Sequence, residues 1–503
     1  MLQYYSSSDI YRLELNSEYL GISTLQLMEN AGKAVADEIS SRFATKSKVV
    51  IFGGTGRNGG DGMVTARHLA SMDYDVTFIL VGKEKEIEDN STKSNWRALK
   101  SILVSVKIKD FSDNLKLEYD CDVAVDAMLG IGAKGTLRQP YLEAVRQFNR
   151  LKGYKISIDI PTGMDSNNGK ILGDAIKPDL ILTFHGIKKG LAKRKTQSET
   201  KIVSIGIPKE AELYVGPGDV KLVTKDRPPN SHKGDFGRLL IIGGSKMYSG
   251  APALAGMAAL RTGCDLVYIA SPEKNAYAIS STSPNLITIK LASEEFEVKN
   301  LKQIKPILEK TSAIILGPGL GLNPDTIEAV TGLFTILSNL KKPTVIDADA
   351  LKILGLKKLK IDFPAVLTPH SGEFETLISK KVSMNFSSRI KEVIKSAKKL
   401  NAIVVLKGAA DIISDGQNSR INFTGNPGMT VGGTGDVLSG IIGGLIAQGN
   451  DCFNSSVAST FINGAAGDLI CKEIGFHMVP TDLIDKIPRV MVDPMVHKNV
   501  KFD

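Results

Sequence analysis

The chain has 503 residues, too many for one ordinary domain, so two to four are expected. Hydrophobic residues at 42% and charged residues at 23% are globular values, which exclude a disordered or collagen-like chain. The formal charge of +9 is spread without any block of like charges, and one Trp with 6% aromatics leaves few stacking platforms, so a lysine-rich solvated surface is expected in place of a nucleic-acid face.

The four cysteines, Cys121, Cys264, Cys452 and Cys471, are scattered, with no Cys-x-x-Cys pair and no His at metal spacing. Neither zinc nor a disulfide framework is expected, which fits a reducing cytoplasm. No run of 18 apolar residues and no signal-peptide pattern is visible, so neither a membrane span nor export is expected.

Residues 7–43 read as helix, with Leu25, Leu27, Met28, Ala31, Gly32 and Val35 at helical spacing. Lys48–Phe52 is a short apolar strand that runs into a turn dense in glycine, residues 53–62, and then into a helical stretch from Met63. Asp75–Val81 is the next strand, which completes a βαβ unit with a phosphate-type turn. Strands follow over 122–130, 155–161, 179–184 and 201–207, so the first half predicts a parallel, doubly wound sheet. Ligands bind such sheets at the C-terminal strand ends. Asn58, Asp61, Asp126, Lys134 and Asp159 all fall there. The turn is not a clean dinucleotide fingerprint, because Asn58-Gly59-Gly60-Asp61 adds an amide and a carboxylate. Asn58, Asp126 and Thr162 are hard oxygen donors on three strand-end loops; they suit a weakly hydrated cation, or each is ordinary turn chemistry.

Leu27–Gly32, Gly56–Gly62, Val125–Gly130 and Ser157–Gly163 together resemble the NAD(P)H-hydrate epimerase domain, over roughly residues 1–212. The resemblance implies that Asn58, Gly59, Gly60 and Asp61 bind the hydrated dinucleotide with Gly130, Ile131, Gly132, Ala133, Lys134, Gly135 and Thr136. It also implies that Asp159 contacts the substrate, where acid/base work is expected of it, and that Asn58, Asp126 and Thr162 hold a potassium ion. Arg57 stands where that family commonly has a second Asn; it either touches a phosphate or points to solvent.

Residues 213–236 are rich in Gly, Pro and charge, which marks a domain junction. A second α/β series begins at Gly237–Ser245 and continues through an Ala-rich helix over 249–261. Strands over 266–270, 313–316, 344–348, 365–368 and 403–407 end in Gly317–Gly321, Asp347-Ala348-Asp349, Thr368–Glu373 and Lys407–Asp411. Several polar, glycine-bearing loops on one sheet edge mean a site. His370 reads as a turn or cap residue or as a ligand contact, and Lys407 as a strand-end charge or a phosphate contact. Asp347 and Asp349 read as structural. The densest stretch is Gly432-Gly433-Thr434-Gly435-Asp436 at the start of an apolar helix. Its free N–H groups and positive dipole end make an anion site, phosphate foremost. Asp436 there is either a helix N-cap or a carboxylate that takes a proton during phosphoryl transfer.

Gly-Thr-Gly-Asp opening a late helix resembles the ribokinase-like superfamily. With His232–Gly237, Gly317–Gly321, Asp347–Asp349, Thr368–His370 and Asn426–Gly449, residues 213–503 resemble the ADP-dependent NAD(P)H-hydrate dehydratase domain. By position, Ala253, Gly319, His370 and Asp436 would line the hydrate site, and Lys407, Gly408, Ala409, Ala410, Asp411 and Gly435 would bind the adenine nucleotide. The expected fold is thus α/β in two domains, a Rossmann-like doubly wound sheet and a ribokinase-like α/β/α sandwich. The chain as a whole resembles the bifunctional NAD(P)H-hydrate repair family. That resemblance implies the substrates NADHX, NADPHX and ADP, Mg²⁺ in the second domain, and a homo-oligomer. The alternative is a ribokinase-like small-molecule kinase with a fused nucleotide-binding domain.

Overall fold

The computed structural model describes residues 4–111, 120–194, 197–383 and 385–501. The chain divides between Pro208 and Lys209 into two compact units. The junction expected at 212/213 lies earlier because helix Lys209–Leu213 buries Ala211, and the chain just after it, at Tyr214, bridges to Ile421 of the second unit.

The strands of the first unit are β1 (Tyr4–Tyr5), β2 (Lys48–Gly53), β3 (Asp75–Leu80), β4 (Val106–Asp110), β5 (Val123–Ala127), β6 (Tyr154–Ile158), β7 (Leu180–Phe184), β8 (Ile187–Lys188) and β9 (Glu199–Val203). Seven form one parallel sheet in the order β4-β3-β2-β5-β6-β7-β9, and β1 pairs with β8 apart from it. The order reverses between β2 and β5, and there the strand ends part to leave a crevice. The apolar run of β2 and the wholly buried β5 suit strands covered on both faces. β4 is only partly buried, which is why no continuous apolar run announced it.

The single helix expected over 7–43 is two, Ser7–Tyr19 and Thr24–Arg42. Gly21 at φ +98° breaks it, and Ser23 with Gln26 forms a reciprocal cap that restarts it. Helix Thr24–Arg42 packs on helix Arg57–Ser71 through Gly32, whose missing Cβ would lie 2.5 Å from the Val64 Cβ. That close contact fixes the N-terminus of helix Arg57–Ser71 at the crevice.

The second unit has β10 (Arg238–Ile242), β11 (Leu266–Pro272), β12 (Ile287–Leu291), β13 (Ala313–Leu316), β14 (Thr344–Ile346), β15 (Ala365–Leu367), β16 (Ile403–Leu406), β17 (Asp411–Ser414) and β18 (Ser419–Asn422). They form one sheet in the order β12-β11-β10-β13-β14-β15-β16-β17-β18. It is parallel as far as β16 and antiparallel over the last two pairs, so Lys407–Asp411 leads from one strand of a hairpin to the next.

Helix Thr434–Ala447 is buried from Val437 onward. Its glycines let it lie unusually close to its neighbours. A Cβ on Gly440 would meet the Ala255 carbonyl oxygen at 2.3 Å, and one on Gly443 the Ile315 Cδ1 at 2.6 Å. The helix is thereby wedged between helix Gly250–Arg261 and the sheet, with its start at the C-terminal strand ends. Among the described residues no helix is long and apolar enough to cross a membrane.

Candidate active sites

In the first unit a cavity of about 640 Å³ opens at the reversal between β2 and β5. Asn58, Asp61, Gly130–Lys134 and Asp159 line it, as do Arg57, Glu14 and Lys188. Asn58–Asp61 lie in the first turn of helix Arg57–Ser71, not in the preceding loop, so the cavity faces a helix N-terminus. Gly59 and Gly60 are not part of its lining. They are glycines for packing: a Cβ on Gly59 would lie 1.9 Å from the Gly54 carbonyl oxygen, and one on Gly60 2.5 Å from the Met28 sulfur. Gly135 and Thr136 lie outside the lining as well, exposed on the same loop.

Asp159 leaves β6 at φ +65°, a backbone conformation that non-glycine residues seldom hold. The turn aims its carboxylate at the β7–β8 corner, where Oδ1 accepts from the Lys188 Nζ, from the Phe184 N–H at 3.1 Å and from the Thr183 hydroxyl at 3.5 Å. Lys188 is fully buried and also donates to the Phe184 carbonyl at 2.7 Å. The sequence reading missed Lys188; the adjacent Lys188-Lys189 pair carries no signal that one of the two is buried.

Arg57 does not point freely to solvent; carboxylates hold its guanidinium. Its Nη1 donates to Glu14 at 2.8 Å and its Nε to Asp89 at 3.0 Å, which ties three elements together at the cavity wall. Burial, followed by the charges of Asp159 and Glu14, pushes the Asp61 carboxyl well above its ordinary range. Burial likewise raises Glu14, against the opposing pull of Arg57.

Asp126 is fully buried behind the cavity. Its oxygens accept from the Thr162 hydroxyl (2.7 Å) and N–H (2.9 Å), the Ser157 hydroxyl (2.9 Å) and the Met128 N–H (3.3 Å). Burial nevertheless raises its pKa to about 6. Asp126 and Thr162 are therefore joined, and Gly130 on the following turn lies against the Asn58 carboxamide. Oxygen donors with a single carboxylate suit a hard monovalent cation.

In the second unit Gly433, at φ +104°, is the residue before helix Thr434–Ala447, and Val437 N–H makes the first bond back to its carbonyl. The N–H groups of Gly433 to Asp436 have no intrahelical acceptor. Asp436 is therefore not the N-cap. It lies within the first turn, and burial, then the Asp347 charge, raises its pKa to about 7 against the pull of Lys407. The Lys407 Nζ lies directly over Gly435, 3.2 Å from where a Cβ would be, and 3.5 Å from the Asp347 Oδ1. Asp347 is buried and accepts the Thr368 hydroxyl at 2.7 Å. Expected to be structural, it sets the electrostatics of both Lys407 and Asp436. Asp349 does hold a loop, accepting the Gly321 N–H at 2.9 Å.

Ala253 is buried in helix Gly250–Arg261, beside Leu254, which abuts the missing Cβ of Gly433. Gly319, at φ +62°, leaves no room for a side chain: its Cβ would lie 2.9 Å from the Tyr248 Cβ. His370 is the N-cap of helix Ser371–Ile378. Its Nδ1 accepts from the Gly372 and Glu373 N–H groups at 3.1 and 3.3 Å, its Nε2 lies 3.5 Å from the Glu373 Oε1, and the side chain is 61% exposed. The capping ring is thus still exposed enough for a ligand contact. Asp411 turns inward, accepting the Gly408 N–H at 3.1 Å and the Asn422 amide at 3.1 Å, so it shapes the Lys407–Ala410 turn. Gly408 and Ala409 are exposed at its tip.

A family model described as YjeF-related protein N-terminus matches residues 24–190, and one described as NAD(P)H-hydrate dehydratase matches residues 239–489. A bifunctional NAD(P)H-hydrate repair enzyme of Pyrobaculum aerophilum is 40% identical over 494 residues, 97% of each chain. One of Methanothermobacter thermautotrophicus is 40% identical over 495 residues, 97% of this chain and 95% of that one. Among solved structures, an ADP/ATP-dependent NAD(P)H-hydrate dehydratase of Bacillus subtilis, co-crystallised with ATP and Mg²⁺, is 27% identical; it covers 56% of this chain and 99% of its own, with a TM-score of 0.47. The near-complete matches at this identity show that the chain belongs to the family of bifunctional NAD(P)H-hydrate repair enzymes.

Proposed function

We propose that the two units perform successive steps of one repair. The first interconverts the R and S forms of NAD(P)H hydrate. The second dehydrates the S form to NAD(P)H while ADP becomes AMP and phosphate. The observation that carries the second step is the Asp436 carboxyl, tuned to about 7 at the start of a helix and next to Lys407. A base with that pKa is matched to neutral pH.

Hydroxide leaves poorly and phosphate leaves well. Asp436 takes the proton of the hydrate hydroxyl, whose oxygen then attacks the terminal phosphoryl of ADP. The N–H groups at Gly433–Asp436 and the Lys407 ammonium face the charge that builds on the phosphoryl oxygens. The lone pair of the ring nitrogen then expels phosphate, and the resulting cation loses a proton from carbon 5 to restore the ring double bond of NAD(P)H. His370 and the Gly319 turn border the hydrate, and the Lys407–Ala410 turn borders the nucleotide. Among the described residues no group of three or more His, Cys, Asp or Glu side chains is placed to hold a metal. Mg²⁺ would be held chiefly by the nucleotide phosphates, where it would neutralise their charge.

In the first unit Asp159 does the acid/base work at carbon 6. Potassium would sit among Asn58, Asp126 and Thr162, supplying fixed positive charge behind the substrate. A cytoplasmic location, read from the scattered cysteines, and a homo-oligomeric assembly, implied by the family resemblance, complete the reading.

Phosphorus NMR of a reaction with S hydrate and ADP tests this directly. AMP and inorganic phosphate in equal amounts are expected. A stable phosphorylated product would support the kinase alternative.

A further inference from the structure

We propose that Asp61 is a second catalytic residue of the first unit: it protonates the ring nitrogen of the hydrate while Asp159 takes the hydroxyl proton, so that the ring opens to an aldehyde and recloses on its other face. This rests on the epimerase reading and gives it a specific acid.

Asp61 and Asp159 line the same cavity from different elements. Their surroundings differ in kind. The Asp159 carboxylate accepts from the Lys188 Nζ and the Phe184 N–H. Among the described residues no hydrogen bond or ion pair reaches the Asp61 carboxyl. The charged groups it faces are Arg57 on its own helix, Asp159 beyond β6, Glu14 on helix Ser7–Tyr19 and Asp89 at the cap of helix Asn90–Lys100. Burial, then these three carboxylates, raise the Asp61 carboxyl well above its ordinary range against the pull of one guanidinium. Two carboxyl groups in one cavity, one against a buried ammonium and the other facing carboxylates with no hydrogen-bond partner, suit the roles of base and acid. Asn58 is an independent sign that a polar ligand belongs here: it is 7% exposed, lines the cavity, and its Nδ2 has no partner.

The chemistry balances. Carbon 6 carries both the hydroxyl and the ring nitrogen, so it is a hemiaminal carbon. Asp159 removes the hydroxyl proton, the carbon–oxygen bond becomes double, and the carbon–nitrogen pair moves onto nitrogen, which takes the Asp61 proton. The aldehyde rotates about its bond to carbon 5. Nitrogen then attacks the opposite face and returns its proton to Asp61, while oxygen regains one from Asp159. No oxidant, reductant or solvent water is consumed.

The test is R-to-S conversion of NADH hydrate by the full-length Asp61→Asn variant. The carboxamide breaks no hydrogen bond, so kcat should fall on the order of 10² or more with KM little changed. Unchanged kcat, or a loss confined to KM, would overturn the inference. Should the variant fail to fold, wild-type kcat/KM against pH decides. It should fall on the alkaline side as Asp61 ionises, and Glu14→Gln should move that fall to lower pH by removing a charge that opposes ionisation. A flat alkaline side, or one that Glu14→Gln leaves in place, would overturn it equally. A wild-type enzyme with no R-to-S activity above the spontaneous rate would instead overturn the epimerase reading itself.

Discussion

Replacing Asp436 by Asn should make the second unit more stable and nearly inactive. The carboxyl moves from an ordinary value of 3.8 to about 7, chiefly because it is buried, then because Asp347 faces it. Between those two values the folded state binds a proton that the unfolded chain releases, so stability falls as pH rises through that window. Above pH 7 the full cost is present, about 4 kcal/mol from the size of the shift. Local relaxation returns part of it. Asn should therefore raise stability by about 1–3 kcal/mol near pH 8, a few degrees for a unit of this size, and by much less below the ordinary carboxylate pKa. Calorimetric scans at both pH values measure this, and turnover of S hydrate with ADP should fall on the order of 10² or more while ADP binding persists. A second-unit melting temperature that drops near pH 8, together with near-normal turnover, would refute both the buried charge and the general-base role.

The wild-type dehydration rate should rise with pH through about 7, and Asp347→Asn should shift that rise to lower pH because the like charge is gone; an unshifted profile would separate Asp347 from Asp436. Lys407→Met should weaken ADP binding by roughly tenfold or more in titration calorimetry, since it removes the charge over Gly435; equal affinity would place the nucleotide elsewhere. Gly59→Ala should destabilise the first unit by at least about 1–3 kcal/mol, because its Cβ would collide with the Gly54 carbonyl; an unchanged melting temperature would mean that the loop yields freely.

The alternation of apolar runs and glycine-rich turns made both parallel sheets readable, since strands covered on two faces are apolar throughout. It could not show the antiparallel β17–β18 hairpin, whose short strands are rich in polar residues, nor the break at Gly21, where helical spacing runs on across the interruption. The motifs located Asp436 and Asp159 but not what acts on them. Lys188 contacts Asp159 and the Asp347 charge acts on Asp436 from distant parts of the sequence, and only folding brings them together. The motif also could not show that packing against Gly54 and Met28 is a separate reason for glycine at 59 and 60. Asp411 likewise reads as a nucleotide contact, although it closes its own turn.

The central claim is that two separate sites act in sequence on one damaged cofactor. The most direct measurement is the recovery of reduced-nicotinamide absorbance from a mixture of R and S NADH hydrate with ADP, comparing wild type with Asp159→Ala. Wild type should restore the whole mixture, whereas the variant should restore the S fraction and then stall at the slow spontaneous rate of epimerisation. Full rapid recovery by the variant, or none by the wild type, would contradict the account.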